Sequence, residues 1–154
     1  MQEEHIKGLV DQYINLSFSV TKNAESLIKE QMGSDVTNDQ HYTLRYINKT
    51  GPCTSSQLAD EFKVNKSAIT AIVNRMWEKG LIVRDRDPSD RRLVYLSLTE
   101  KGKKLFQETE HRINKLVESL ITQFEEKEIE QFMKTYEKLN NILILAKKTN
   151  GGSL

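Results

Sequence analysis

The spacing of apolar residues changes at Gly80, and that change constrains the fold more than any other feature of the chain. Before it, Ile69, Ile72, Val73 and Met76 recur every three or four positions. At 100° per residue they lie within about 100° of one another, the buried stripe of a helix spanning Lys66 to Lys79. After it, "LIVRDRD" alternates loosely and "LVYLSLT" strictly, with Val94, Leu96 and Leu98 on one face. Two alternating runs around a turn holding Pro88, Ser89 and Asp90 read as a hairpin. Gly80 itself suits the left-handed residue that closes a helix. Thr99 then caps a helix from Glu100 to about Thr122.

Two short helices precede this unit. "TNDQ" (Thr37 to Gln40) and "TSSQ" (Thr54 to Gln57) each place a threonine three residues before a glutamine, the reciprocal capping pattern. The first opens a helix through Tyr42, Leu44, Tyr46 and Ile47, stopped by "TGPC". The second has Leu58, Ala59 and Phe62 on its inner face. Asn65 is a good N-cap for the helix that follows. The predicted fold class is mainly α with a small β-hairpin wing: a winged helix-turn-helix lobe plus a helical region built from the N- and C-terminal helices.

Those terminal helices are long for one small domain. Ile6, Leu9, Val10, Tyr13, Leu16, Val20, Ala24, Leu27 and Ile28 form a stripe of some seven turns, ending near "MGSD" at Met32 to Asp35. Ile129, Phe132, Met133, Tyr136, Leu139, Ile142, Leu143 and Ala146 form another, in a helix from Glu125 to Lys148. A stripe with nothing to bury against inside its own domain implies a partner helix. The expected division is 1–36 as an N-terminal dimerisation helix, 37–100 as the winged lobe, 101–148 as C-terminal dimerisation helices and 149–154 as a frayed tail.

Composition removes several classes. The chain has 154 residues, 37% hydrophobic and 29% charged, which suits one soluble domain. No apolar run approaches the ~18 residues of a membrane span, and "MQEEHIKGLV" is too acidic and polar for a signal peptide. A single cysteine, Cys53, leaves no internal disulfide, so the expected location is cytoplasmic. Net charge is only +1, but its distribution is uneven. From Lys63 to Lys104 eleven basic residues face five acidic ones, and the rest of the chain is net negative by five. A basic middle between acidic ends is the footprint of a polyanion-binding module.

The outward side of the Lys66–Lys79 helix is unusual. It carries Ser67, Thr70, Ala71, Asn74 and Glu78, flanked by Lys66 and Arg75. Solvated faces normally run to Glu and Lys, and Ser and Thr are mediocre helix formers. Small donors and acceptors with a basic flank fit the base edges of a major groove. The turn "DRDPSDRRL" offers Arg91 and Arg92 on a stiff polar loop. An arginine there can enter a narrow minor groove, where negative potential is strongest. Asp90, with Asp85 or Asp87, is expected to hold those arginines by ion pairs, and Arg84 to brace the wing. By itself the loop would pass for a surface turn with self-neutralising charges.

The stretch "VNKSAITAIVNRMWEKGLIVRDRDPSDRRLVYLSLTEKG", Val64 to Gly102, resembles the core of the MarR family of bacterial transcriptional regulators. The family pattern "L-x-x-x-G-L/W-V-x-R", then "D-P-x-D-x-R", then "L-T-x-x-G" matches Met76 to Arg84, Asp87 to Arg92, and Leu98 to Gly102. Met76 stands where leucine is usual. The resemblance implies a homodimer with interlocked terminal helices, bound to a pseudo-palindromic double-stranded DNA operator, usually as a repressor. It places Ser67, Thr70, Ala71, Asn74 and Arg75 on the base- and phosphate-facing side, and makes Arg92 the wing arginine with Asp90 its brace.

Many members of the family release DNA when a signal arrives. Oxidant sensors carry a cysteine in the first helix, and "DQYINLSFSVT" has none. Cys53 reads as a small buried hydrophobe. Zinc sensors use a histidine pair one turn apart after the wing, whereas His111 has Gln107 and Lys115 at those positions; a site from His41, His111 and carboxylates is the remaining zinc alternative, and no metal or cofactor is expected. A pocket lined by Tyr13, Phe18, Tyr42, Arg45, Tyr46 and Phe106 would suit a small aromatic or phenolic effector, although the same residues would serve equally as core and interface. Enzymatic motifs are weak: "SVTK" and "SLIK" both match S-x-x-K within one helix, with no companion motif. No catalytic residue is expected. The alternative to a regulator is a non-catalytic helical adaptor, or an architectural DNA-binding protein without effector response.

Overall fold

The computed structural model describes residues 2–33 and 35–150. Their order is α1 (Glu3–Met32), α2 (Asn38–Thr50), α3 (Ser55–Phe62), α4 (Lys66–Glu78), β1 (Ile82–Arg86), β2 (Val94–Leu98), α5 (Glu100–Ile121) and α6 (Glu126–Asn150). Both expected capping boxes form, with Thr37 and Gln40 at α2 and Thr54 and Gln57 at α3 exchanging side-chain and backbone bonds. The Asn65 amide oxygen accepts from Ala68 N at 2.9 Å and starts α4. α6 runs two residues beyond the expected Lys148, so Thr149 and Asn150 are helical; the rest of the expected tail, 151–154, lies outside the described residues.

The chain divides into two compact units after Ile113. The core of the first is supplied by every element of the winged lobe: Leu44 and Ile47 from α2, Leu58 and Ala59 from α3, Ile69, Val73 and Met76 from α4, then Leu81, Ile82, Leu96 and Phe106. Ile72, at the edge of the α4 stripe, is half-buried. β1 and β2 pair antiparallel, Ile82 opposite Leu98 and Arg84 opposite Leu96. β2 has a second neighbour at Cys53, whose amide and carbonyl exchange bonds of 3.2 and 2.7 Å with Leu96. Cys53 is buried, and burial pushes its thiol up to about 11, which keeps it protonated and unreactive near neutrality.

One junction ties α4, the hairpin and α5 together. Gly80 takes φ +74°, which an L side chain rarely adopts, and turns the chain so that Leu81 N donates back to Met76 O at 2.9 Å. Thr99 N donates to Leu81 O at 3.0 Å and its hydroxyl to Gly80 O at 2.6 Å. The same hydroxyl accepts from Gly102 N at 3.0 Å, capping α5. Gly102 is there because nothing larger fits: a Cβ on it would lie 2.1 Å from Leu81 O.

α2 is fastened to α5 by a buried polar cluster. His41 is 2% exposed, stacks on Phe106 with ring centres 5.6 Å apart, and its Nε2 bonds Glu110 Oε2 at 3.0 Å. A carboxylate only accepts, so Nε2 carries the proton. Arg45 approaches the other carboxylate oxygen at 3.6 Å. Among the described residues, His41 Nδ1 and the buried Thr109 hydroxyl have no partner. Burial holds the imidazole below its ordinary 6.5, with the Glu110 bond acting against that trend.

α1 and the second unit expose their apolar residues. Of α1 only Met32 is buried; Ile6, Leu9, Val10, Tyr13, Leu16, Phe18 and Val20 are exposed. α6 buries none of its residues, and Phe132, Met133, Tyr136, Ile142, Leu143 and Leu145 stand open. Among the described residues no helix is long and apolar enough to cross a membrane.

Gly102→Ala should destabilise the protein by about 1–3 kcal/mol in denaturant unfolding, because the new methyl meets backbone. The gain of ~1 kcal/mol expected from Gly→Ala in an unobstructed helix would contradict the close approach. His41 generates a second expectation. A folded-state pKa below the unfolded 6.5 means stability is fully present above pH 6.5 and declines as pH falls toward the folded value. Calorimetry of His41→Gln should show a flatter decline than wild type over that window, whatever its absolute stability.

Candidate nucleic-acid interface

α4 turns one stripe inward and leaves the opposite one free. Ile69, Val73 and Met76 are buried, while Lys66, Ser67, Thr70, Ala71, Asn74, Arg75 and Glu78 are exposed. The Thr70 hydroxyl donates to Lys66 O at 2.8 Å, which fixes its rotamer and leaves its lone pairs outward. The face therefore presents short side chains that let another surface approach closely, with one ammonium and one guanidinium at its borders.

The wing is shaped by two aspartates with different tasks. Asp87 Oδ1 accepts from Ser89 N at 2.8 Å, Ser89 Oγ at 2.6 Å and Asp90 N at 3.1 Å, folding the tip into an Asx turn. Asp90 holds Arg92 through Arg92 N at 3.0 Å, Nε at 3.1 Å and Nη2 at 3.2 Å. The Ser89 bonds keep the Asp87 carboxyl below its ordinary range, and the Arg92 bonds do the same for Asp90. Arg91 is positioned through its backbone instead, its carbonyl accepting from Arg86 Nη1 at 2.9 Å. Its guanidinium has no hydrogen-bond or ion-pair partner among the described residues. Asp85 is exposed on β1 opposite Tyr95.

Arg84 joins the wing to α4. Its Nη2 donates to Asn74 Oδ1, and its guanidinium lies over the Trp77 ring at 5.2 Å. The sequence assigns Arg84 to bracing the wing and Asn74 to the outward face of α4, and no local pattern marks that the two meet.

The six residues suggested for an effector pocket lie on three helices. Tyr13 and Phe18 are exposed on α1, Tyr42, Arg45 and Tyr46 are on α2, and Phe106 is on α5. Phe106 is occupied by the His41 ring, and Tyr46 packs edge-on against Phe62. Tyr42 also borders a cavity of about 300 Å³ with Phe62, Val64 and Ile72. A larger cavity of about 460 Å³ is lined by Lys79, Lys101, Lys104, Asp35 and Glu108 around Leu81 and Leu105. His41 is committed to Glu110, His111 is exposed, and no group of three or more metal-ligating side chains occurs among the described residues.

Comparison with known proteins agrees with this geometry. Residues 34–93 match the model of the MarR family. The HTH-type transcriptional repressor MdtR of Bacillus subtilis is 31% identical over 98 residues, 64% of this chain and 63% of that protein. A MepR-like protein, crystallised with pseudoligands, is 31% identical over 87% of this chain and 95% of its own, with a TM-score of 0.65. FabT of Streptococcus pneumoniae, solved in complex with DNA, is 28% identical over 92% of this chain and 99% of its own, with a TM-score of 0.79. Wing, helix order and sequence agree: the chain belongs to the MarR family and is a DNA-binding transcriptional regulator of winged-helix form.

Proposed function

We propose that this regulator binds a pseudo-palindromic operator as a homodimer and represses transcription. The observation that carries the reading is the exposed Ser67–Thr70–Ala71–Asn74 face of α4, bordered by Lys66 and Arg75 and tied through Arg84 to the hairpin. α4 would enter the major groove with that face against base edges. The wing would reach the flanking minor groove, Arg92 held forward by Asp90 and Arg91 free to follow the backbone. FabT, solved with DNA, shares this fold over nearly its whole length, and MdtR is named a repressor.

Self-association is favoured by the exposed apolar residues of α1 and α6. An apolar stripe that a long helix leaves unburied calls for a partner helix, and residues 1–36 and 101–148 would serve as dimerisation segments around a DNA-binding lobe at 37–100. Two-fold symmetry then sets two half-sites about one helical turn apart. A small aromatic or phenolic effector held near Tyr13, Phe18, Tyr42, Arg45, Tyr46 and Phe106 would release the operator.

Arg92→Ala should weaken operator binding roughly five- to tenfold and leave the thermal unfolding midpoint unchanged, with the salt slope shallower by about one. Unchanged affinity would mean that Arg92 does not touch DNA. Light scattering at micromolar concentration should give twice the chain mass; a monomer would remove the basis for palindromic recognition.

A further inference from the structure

The donor from Arg84 to Asn74 has a consequence for which bases α4 can read. Asparagine in a major groove commonly pairs with adenine through both ends of its amide, Oδ1 accepting from N6 and Nδ2 donating to N7. That requires a free oxygen. Here a guanidinium occupies it, and because a guanidinium has no acceptor, the amide end facing Arg84 must be Oδ1. The orientation of Asn74 is thereby fixed by chemistry, with Nδ2 left over.

Arg84 is itself held from two sides. The pairing of Arg84 with Leu96 puts its side chain on the sheet face that also carries buried Ile82 and Leu96. The Trp77 ring, one turn along α4 from Asn74 and on the same helix, lies under the guanidinium at 5.2 Å. A carbonyl oxygen keeps a second lone pair, but a full positive charge beside it opposes a second donor such as an adenine amine. The Nδ2 hydrogens, polarised by the same bond, become the functional end.

We propose that Arg84 is a positioning residue that sets sequence preference: by capping Asn74 Oδ1, it makes Asn74 a donor-only reader. It would select base edges that offer acceptors alone, guanine O6 and N7 or thymine O4, and disfavour adenine. This rests on the reading that α4 enters the major groove.

The test is duplex selection with wild type, followed by affinities for single-base variants of the selected site, using Arg84→Met, Arg84→Lys, Asn74→Ala and the Asn74→Ala/Arg84→Met double variant. Wild type should prefer guanine or thymine over adenine roughly tenfold at one position of each half-site. Arg84→Met should lose that preference, Arg84→Lys, which keeps a charged donor, should retain most of it, and in the Asn74→Ala background Arg84→Met should change nothing at that position. Losses that simply add would overturn the proposal. So would an equal loss for every base with a salt slope shallower by about one, the signature of a phosphate contact made by Arg84 itself. Failure of the underlying reading looks different: wild type would select no sequence, and the proposal would fall with it.

Discussion

The backbone contact between Gly102 and Leu81 is the constraint on which the rest of the lobe depends. It lets the first turn of α5 lie against the strand that leaves α4, so Thr99 can bond Gly80, Leu81 and Gly102 at once. Lys101 adds a bond from its ammonium to Lys79 O at 2.8 Å, satisfying a carbonyl at the end of α4. The end of one helix, the start of the hairpin and the start of another helix are thereby held within a few residues. The register of the wing follows from that knot, and the position of Arg84 follows from the register.

From there the interface is a matter of which polar groups are already engaged. Asp87 accepts bonds from the turn, Asp90 accepts from Arg92, and Arg84 donates to Asn74. The one ion pair among them, Asp90 with Arg92, lies at the surface, where such pairs contribute little to stability. The effect of these bonds is on orientation: they fix where a guanidinium or an amide points before DNA arrives, so less side-chain freedom is lost on binding. Arg91, without such a partner among the described residues, is the flexible member of the set.

Much of this was legible in the sequence because it is local. The capping boxes of "TNDQ" and "TSSQ", the Asn65 cap, the Gly80 stop and the alternation of "LVYLSLT" act within three or four residues, and each element formed where its signal stood. The features that escaped are pairings between distant positions. His41 meets Glu110 across 69 residues, Cys53 meets Leu96, and Arg84 meets Asn74 from another element. Nothing in the spacing around either partner marks such a contact. His41 shows the reason well: in the sequence it is an isolated histidine in a helix's first turn, weighed only as a zinc ligand, and only the packing of α2 on α5 buries it against Glu110.

The most direct test of the account is the affinity of the purified protein for random and for selected duplexes across a salt series. The account predicts selected sites with two-fold symmetry and half-sites about 10 bp apart. It also predicts log affinity falling steeply and linearly with log salt, as several phosphates per half-site are neutralised. Weak binding without a selectable sequence, or a selected site lacking symmetry, would contradict a dimeric operator-reading regulator.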